Sequence, residues 1–219
     1  MPRSARQKSE SGVYHVMVRG INRQDIFHDD EDRLRYLTTL DRFTRQGKLT
    51  VFGFCLMDNH VHLLLAERDE SLSETMRRLG TSYVFWYNNK HARVGHLFQD
   101  RFLSDPVEND EHLLAVLRYI HQNPVQANMT ESCDYRWSSY AYYTGMDVVL
   151  PGLVDTRMAS GLLGNTQRFI DFTNSPGRID LCDTDEPRNR VVDSVVVDQL
   201  SKLLASYGLV ALQDASLAD

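Results

Sequence analysis

Residues 57–65 have the sequence Met-Asp-Asn-His-Val-His-Leu-Leu-Leu, in which two histidines stand two positions apart at the start of an apolar run. Successive side chains of a β-strand point to opposite faces, so this spacing predicts a strand with His60 and His62 on one face. The apolar residues around them then face a hydrophobic core. Two neighbouring imidazoles indicate half of a metal site, although one satisfied and one exposed histidine would produce the same pattern.

Residues 113–124 have the sequence Leu-Leu-Ala-Val-Leu-Arg-Tyr-Ile-His-Gln-Asn-Pro. Apolar residues at i, i+4 and i+7 predict the buried stripe of an amphipathic helix. Tyr119 and Asn123 lie one turn apart on the flank of that stripe, and Pro124 is expected to end the helix. His121 points away from this flank and is expected to be exposed. A tyrosine beside an apolar stripe is commonly a residue at the core edge, and that alternative stays open.

Together the two segments supply two imidazoles, an amide oxygen and a phenol, which suit a metal-assisted phosphodiester transesterase. Neutral ligands at His60, His62 and Asn123 would leave a divalent cation its full charge for the phosphate. Nitrogen and oxygen ligands without a thiolate favour Mg²⁺ or Mn²⁺. Tyr119 would be the nucleophile, because a phenol with a pKa of about 10 ionises more readily than an aliphatic hydroxyl. A phosphotyrosine would conserve the bond energy for rejoining.

The two segments resemble the single-tyrosine HUH transposases, whose name denotes His, a hydrophobic residue and His. The resemblance is strongest to the REP-associated tyrosine transposases, which process repetitive extragenic palindromes. It extends over roughly residues 11–145, and further similar segments are Tyr14-His15-Val16 with Arg19-Gly20, residues 97–102 and Trp137-Ser138-Ser139-Tyr140. The resemblance implies a hairpin in single-stranded DNA as the substrate, and a 5′-phosphotyrosine intermediate at Tyr119.

The order of predicted elements is strand, helix, strand, strand, helix, strand, which is typical of a ferredoxin-like split βαβ unit. The predicted ranges are 14–19, 29–46, 50–56, 60–65, 71–91 and 98–103, with Leu34, Leu37 and Leu40 of the first helix facing inwards. We therefore predict an α+β fold in which two helices cover one face of an antiparallel sheet. His15, Arg19, His60 and His62 share the opposite, open face, against which the helix bearing Tyr119 can pack.

Two parts of the chain differ in character. We assign residues 11–145 to a catalytic domain and residues 146–219 to a small helical C-terminal appendage. Helical spacing of apolar residues between Val192 and Tyr207, followed by Gly208, predicts a helix in that appendage. It could dock on the main domain or form a second DNA-binding module.

Composition constrains the class of protein. Of the formal net charge of −6, residues 1–145 carry −1 and residues 146–219 carry −5. This balance permits DNA binding but predicts modest non-specific affinity. Three cysteines without a Cys-x-x-Cys spacing argue against disulfides and a thiolate zinc site. The sequence has no apolar run of transmembrane length and no signal-peptide pattern, so we predict a cytoplasmic protein.

Several polar residues are candidates for DNA contacts. The first 12 residues are expected to form a mobile basic arm, with or without a role in binding. Arg19 and Arg23 could hold phosphates or be merely solvated, and Arg101 could instead pair with a neighbouring aspartate. The full candidate set is Arg3, Arg6, Lys8, Arg19, Asn22, Arg23 and Arg101.

The pattern as a whole predicts an enzyme, active as a monomer or homodimer, that nicks and rejoins single-stranded DNA beside a palindromic hairpin. The main alternative is a catalytically idle regulator that binds DNA or RNA hairpins on the same fold. A metal-dependent hydrolase that uses water in place of Tyr119 is a third reading.

Overall fold

The protein, represented by a computed structural model, is described here for residues 6–175 together with Lys202 and Ala205. The helix predicted between Val192 and Tyr207 lies outside the described residues, apart from these last two. The strands are β1 (Val13–Arg19), β2 (Leu49–Leu56), β3 (His60–Glu67) and β4 (Leu103–Pro106). The helices are α1 (Asp30–Arg45), α2 (Leu72–Lys90), α3 (Asp110–Gln126), α4 (Tyr140–Thr144), α5 (Arg157–Leu163) and α6 (Thr166–Asn174).

The four strands form one antiparallel sheet in the order β2-β3-β1-β4, which confirms the predicted split βαβ topology. The first and third strands are central neighbours, as that topology requires. Their register places Arg19 opposite His60 and Met17 opposite His62. His60 and His62 therefore lie on a central strand of the sheet, with a neighbouring strand on either side.

Helices α1 and α2 pack together beside the sheet and begin with side-chain caps. Asp29 accepts a hydrogen bond from the Asp32 amide at 3.0 Å, and Ser71 caps α2 in the same way. The buried stripe of α1 includes Tyr36, Leu37, Leu40 and Phe43. The prediction that Leu34 faces inwards is wrong, since it is 41% exposed; the aromatic side chains shift the buried stripe away from it.

The prediction of a last strand at residues 98–103 is also wrong, because β4 begins at Leu103. The apolar residues that suggested the earlier strand have another partner. Phe98 makes a single bridge to Gly20, and its ring stacks on Tyr83 of α2 with 6.3 Å between ring centroids. Packing against a helix, not a strand ladder, accounts for the apolar character of this segment.

Helix α3 lies between the sheet and the C-terminal helices. It contacts β2 and β3 on one side and α5 and α6 on the other. Pro124 does not end α3, which continues to Gln126. A proline removes one backbone donor, and near the helix end that loss is small enough for packing on both sides to outweigh it. Both faces of the helix that carries Tyr119 are consequently buried.

Gly20 shapes the end of β1 through a close approach of backbone groups. Its amide donates to the Asn59 carbonyl at 2.9 Å, and a Cβ atom here would lie 2.2 Å from the Gln24 carbonyl oxygen. We expect Gly20→Ala to lower the free energy of unfolding by about 1–3 kcal/mol, since overpacking against backbone cannot be relieved by a side-chain rotation. Chemical denaturation measures this change.

A matched control for that prediction is Gly161→Ala within α5, where an added Cβ meets open space. Alanine should stabilise the protein there by roughly 0.5–1 kcal/mol. Equal stability of the wild type and Gly20→Ala would contradict the steric argument.

No helix in the described part of the chain combines the length and the apolar character needed to cross a membrane.

Candidate active site

His60 and His62 project from the same face of β3, and their ring centroids lie 4.9 Å apart. The strand parity deduced from the sequence therefore describes their placement correctly. His62 is fully buried, whereas His60 at the strand end is partly buried. Burial, helped by the neighbouring His60, His15 and Arg19, holds the pKa of His62 well below its ordinary value. His62 is thus neutral near neutral pH, which is the form that binds metals.

Asn59 connects His60 to the turn that follows β1. The amide Nδ2 of Asn59 donates to the Arg23 carbonyl at 3.2 Å, and its Oδ1 lies 2.6 Å from His60 Nδ1. Asn22 and Arg23 in this turn adopt left-handed backbone conformations, with φ of 52° and 58°. Such conformations carry strain in residues other than glycine. Asn59 is a site residue that strand and helix periodicity do not predict, and its position beside His60 is the one signal for it in the sequence.

His15 of β1 is a second residue that the sequence analysis left out of the site. Its Nε2 atom lies 3.1 Å from Nδ1 of His62, and both rings are buried. The sequence placed His15 on the same sheet face as His62, but alternation along a strand cannot show that two rings touch.

Tyr119 of α3 packs directly against these histidines. Its ring centroid is 5.3 Å from that of His62 and 5.8 Å from that of His15, with edge-to-face geometry in both cases. The side chain is only 3% exposed. The structure thus brings Tyr119 against buried His62, whose ring in turn contacts the ring of partly exposed His60.

Asn123, the third predicted metal ligand, lies one turn after Tyr119 and is 5% exposed. Its Nδ2 donates to the Tyr119 carbonyl at 3.3 Å, so Oδ1 is the atom that could coordinate a cation. Among the described residues, no group of three His, Cys, Asp or Glu side chains is arranged to hold a metal. The predicted set of two imidazoles and one amide is a different combination of donors, and its neutral nitrogen and oxygen atoms would suit Mg²⁺ or Mn²⁺.

His121 is not exposed, contrary to the prediction from its helix position. It is fully buried, and its Nε2 lies 2.7 Å from Ser139 Oγ, which also accepts from the Phe54 amide at 2.9 Å. Burial lowers the pKa of His121 to about 3. Phe169 of α6 packs edge-on against its ring and covers this face of α3. Ser139 therefore connects α3 to the edge strand β2 through its hydrogen bonds to His121 and Phe54.

Of the predicted mobile arm, residues 1–12, the structure describes the part from Arg6 onwards. Arg3 belongs to the undescribed residues, but Arg6 donates to the Phe102 carbonyl at 3.0 Å and stacks 3.8 Å from the centre of the Phe102 ring. Ser9 and Glu10 hydrogen-bond to Glu108. Arg6, Ser9 and Glu10 therefore contact the folded domain and do not belong to a free arm. Lys8 is exposed.

The other predicted DNA contacts fall into two places. Arg19 lies at the end of β1 opposite His60, and Asn22 and Arg23 are exposed in the turn that follows. Arg101 is exposed near Arg6, and its charge together with burial lowers the pKa of Arg6. A groove of about 930 Å³ runs between α2 and residues 96–102 and is lined by Arg6, Arg77, Phe85, Arg101 and Phe102, among others. It lies apart from Tyr119, which does not line it.

Comparison with known proteins gives a family and a fold. The sequence model of the family described as "Transposase IS200 like" matches residues 8–123. This range contains β1 to β4 and most of α3, including every residue placed in the candidate site. No curated protein matches the sequence.

One solved structure is similar over most of the chain. It is described as "Structure of the REP associates tyrosine transposase bound to a REP hairpin". The similarity covers 87% of this chain and 99% of the other, with a TM-score of 0.57 and 15% sequence identity. At that identity the comparison establishes the shared fold.

Proposed function

The chain belongs to the IS200-like transposase family, and we propose that it cuts and rejoins single-stranded DNA by transesterification through Tyr119. The observation that carries this proposal is the contact between the Tyr119 ring and the ring of His62. It brings the proposed nucleophile against one of the proposed metal ligands, although the two residues are far apart in sequence. A tyrosine that served only to fill the core would not require the rings of two histidines, His62 and His15, against its own ring.

Each residue has a role in the proposed reaction. Tyr119 Oη forms a bond to phosphorus while the 3′-oxygen of the neighbouring nucleotide leaves, which gives a 5′-phosphotyrosine and a free 3′-hydroxyl. His60, His62 and Asn123 Oδ1 would hold Mg²⁺ or Mn²⁺, which when bound stabilises the negative charge that develops on the phosphate. Helix α3 places Asn123 one turn from Tyr119 and so couples cation binding to nucleophile position. Attack by a 3′-hydroxyl on the phosphotyrosine reverses the step and reseals DNA.

The proposed substrate is a palindromic hairpin in single-stranded DNA. The similar structure is described as bound to a REP hairpin, and the small net charge of residues 1–145 suits a folded, compact ligand better than long duplex. Arg19, Asn22 and Arg23 beside His60 are the candidates for phosphates near the cut. Arg6 and Arg101, which share one groove, are candidates for the more distant part of the strand.

The direct test is incubation of the full chain and Mn²⁺ with single-stranded palindromes from the DNA flanking its gene. We expect a covalent protein–DNA adduct that survives denaturation, and mass spectrometry should place it on Tyr119. Cleavage without an adduct would favour a metal-dependent hydrolase. Hairpin binding without cleavage would favour the regulator.

The burial of Tyr119 is the observation that favours a hairpin-binding regulator as the second candidate, since a phenol that is 3% exposed must be uncovered before a phosphate can reach it. In an enzyme, DNA binding would supply the free energy for that movement. The adduct experiment separates the two functions, because only the enzyme leaves DNA attached to the protein.

The basic N-terminal segment offers a test of the proposed binding surface. We expect Arg6→Gln with Lys8→Gln to weaken hairpin binding and to reduce the salt slope by about 0.7 for each phosphate that these two cations neutralise. Fluorescence anisotropy at several salt concentrations measures both quantities. The matched control is Arg45→Gln with Arg168→Gln, which removes the same charge from exposed positions on α1 and α6. Equal slopes in the two double variants would exclude a specific role for Arg6 and Lys8.

A further inference from the structure

His15 and His62 form a buried pair of imidazoles, and the proposed chemistry assigns no role to His15 or to the contact between the two rings. Nε2 of His15 and Nδ1 of His62 are 3.1 Å apart, which is hydrogen-bond distance, and the two rings stack with centroids 5.2 Å apart. Two nitrogens can approach this closely only if one of them carries the hydrogen, because two facing lone pairs repel. The contact therefore restricts which nitrogen of each ring is protonated.

The sheet register explains why His15 can reach this position. Met17 is directly opposite His62, and His15 lies two residues before Met17. His15 is therefore the diagonal neighbour of His62 on the same sheet face. The ring of His15 also contacts the ring of Tyr119, with 5.8 Å between centroids. His15, His62 and Tyr119 consequently form one buried cluster, at 4%, 0% and 3% exposure.

The hydrogen bond between Asn59 and His60 shows how a partner at one ring nitrogen fixes the position of the proton on an imidazole. Because the Asn59 Nδ2 donates to the Arg23 carbonyl, the oxygen of that amide faces His60. An amide oxygen only accepts, so His60 Nδ1 must donate to it. The lone pair of His60 is then on Nε2, which is the atom that would coordinate a cation.

We propose that His15 is a positioning residue for His62: its Nε2 accepts a hydrogen bond from Nδ1 of His62 and so leaves Nε2 of His62 as the coordinating atom. The inference rests on the proposed function, in which His62 binds the cation. In this arrangement both histidines of β3 present the same nitrogen, each held by a neutral partner. A neutral partner orients the ring without adding the negative charge that a carboxylate would bring, so the cation keeps its charge for the phosphate.

The proposal predicts a difference between two replacements of His15. His15→Leu fills similar space without an acceptor, whereas His15→Gln can offer a side-chain oxygen close to the position of Nε2. For the full chain, we expect His15→Leu to bind Mn²⁺ about 10–100-fold more weakly than wild type, and His15→Gln to keep most of the affinity. Electron paramagnetic resonance of free Mn²⁺ measures the dissociation constants without any DNA or turnover.

Met17→Leu is the matched control, because it changes a buried residue on the same strand and face with little change in volume. Its Mn²⁺ affinity should equal that of wild type, and thermal unfolding should show all three variants to be folded. Equal affinity of wild type and His15→Leu would overturn the role of His15. So would equal weakening in His15→Leu and His15→Gln, since the acceptor would then be irrelevant.

A second measurement does not require metal. In ¹⁵N-labelled protein, long-range ¹H–¹⁵N correlation of the imidazoles should show His62 protonated at Nδ1 in wild type and in His15→Gln. The His62 signals are assigned by their loss in His62→Ala. A proton on Nε2 of His62 in wild type would overturn the proposal. If wild type did not bind Mn²⁺ through His60, the metal site of the proposed function would be wrong, and this result differs from a failure of the His15 proposal.

Discussion

Replacing Tyr119 by phenylalanine should abolish strand cleavage and covalent attachment to DNA, while hairpin binding stays close to that of wild type. The change removes one oxygen atom and retains the ring that packs on His62 and His15. Deleting a catalytic nucleophile costs on the order of 10⁶-fold in rate where it has been measured. Gel electrophoresis of labelled hairpins under denaturing conditions detects the cleaved strand and the adduct together.

Tyr143→Phe provides the matched control for this loss. Tyr143 is also buried, its hydroxyl donates to the Phe52 carbonyl at 2.7 Å, and its ring contacts His121, which is not one of the proposed metal ligands. Its removal should cost about 1 kcal/mol of stability and leave cleavage intact. If Tyr119→Phe still formed an adduct, or if the wild-type adduct lay on Tyr140 or Tyr143, Tyr119 would not be the nucleophile.

The second large effect is expected for His60→Ala combined with His62→Ala, which should eliminate both Mn²⁺ binding and cleavage. The two imidazoles supply two of the three proposed ligands, so the remaining amide of Asn123 cannot hold the cation alone. Titration of Mn²⁺ and the adduct assay measure the two losses separately. Cleavage that remains metal-dependent in the double variant would refute the metal assignment.

Stability must be measured in the same variant, because His62 is fully buried. Its removal deletes the hydrogen bond between His62 and His15, at a cost of about 1–3 kcal/mol. The single variant His60→Ala avoids this cost, since His60 lies partly exposed at the strand end. His28→Ala with His112→Ala removes two histidines outside the candidate site and outside the groove beside α2, and should retain both Mn²⁺ binding and cleavage.

The position of the site on the sheet could be predicted because strands have a strict period of two. Once Tyr14 to Arg19 and His60 to Leu65 were assigned as central neighbouring strands, parity placed the histidines on one face. The structure confirms that topology and that shared face. The start of β4 could not be predicted, since an apolar residue such as Phe98 has the same sequence signal whether it packs on a helix or pairs in a sheet.

The environment of α3 depends on parts of the chain that carry no recognisable motif. A stripe of apolar residues indicates one buried face, so His121 on the other side was expected to be exposed. Helix α6 covers that side, where Arg118 donates to the Ser175 carbonyl at 2.6 Å and Gln122 donates to the Thr173 carbonyl at 2.7 Å. Helical periodicity contains no information on a second layer contributed by residues far along the chain.

The contact of Tyr119 with His62 determines how many DNA ends one protein molecule can hold in the proposed reaction. Within the described chain, Tyr119 is the tyrosine whose ring touches His62. One protein molecule can then be linked to one DNA end at a time, and it is occupied until that end is resealed. Releasing a segment bounded by two cut sites therefore requires either two molecules bound simultaneously or two successive cycles by one molecule. In the second case the first end must be transferred to an acceptor strand before the other can be opened.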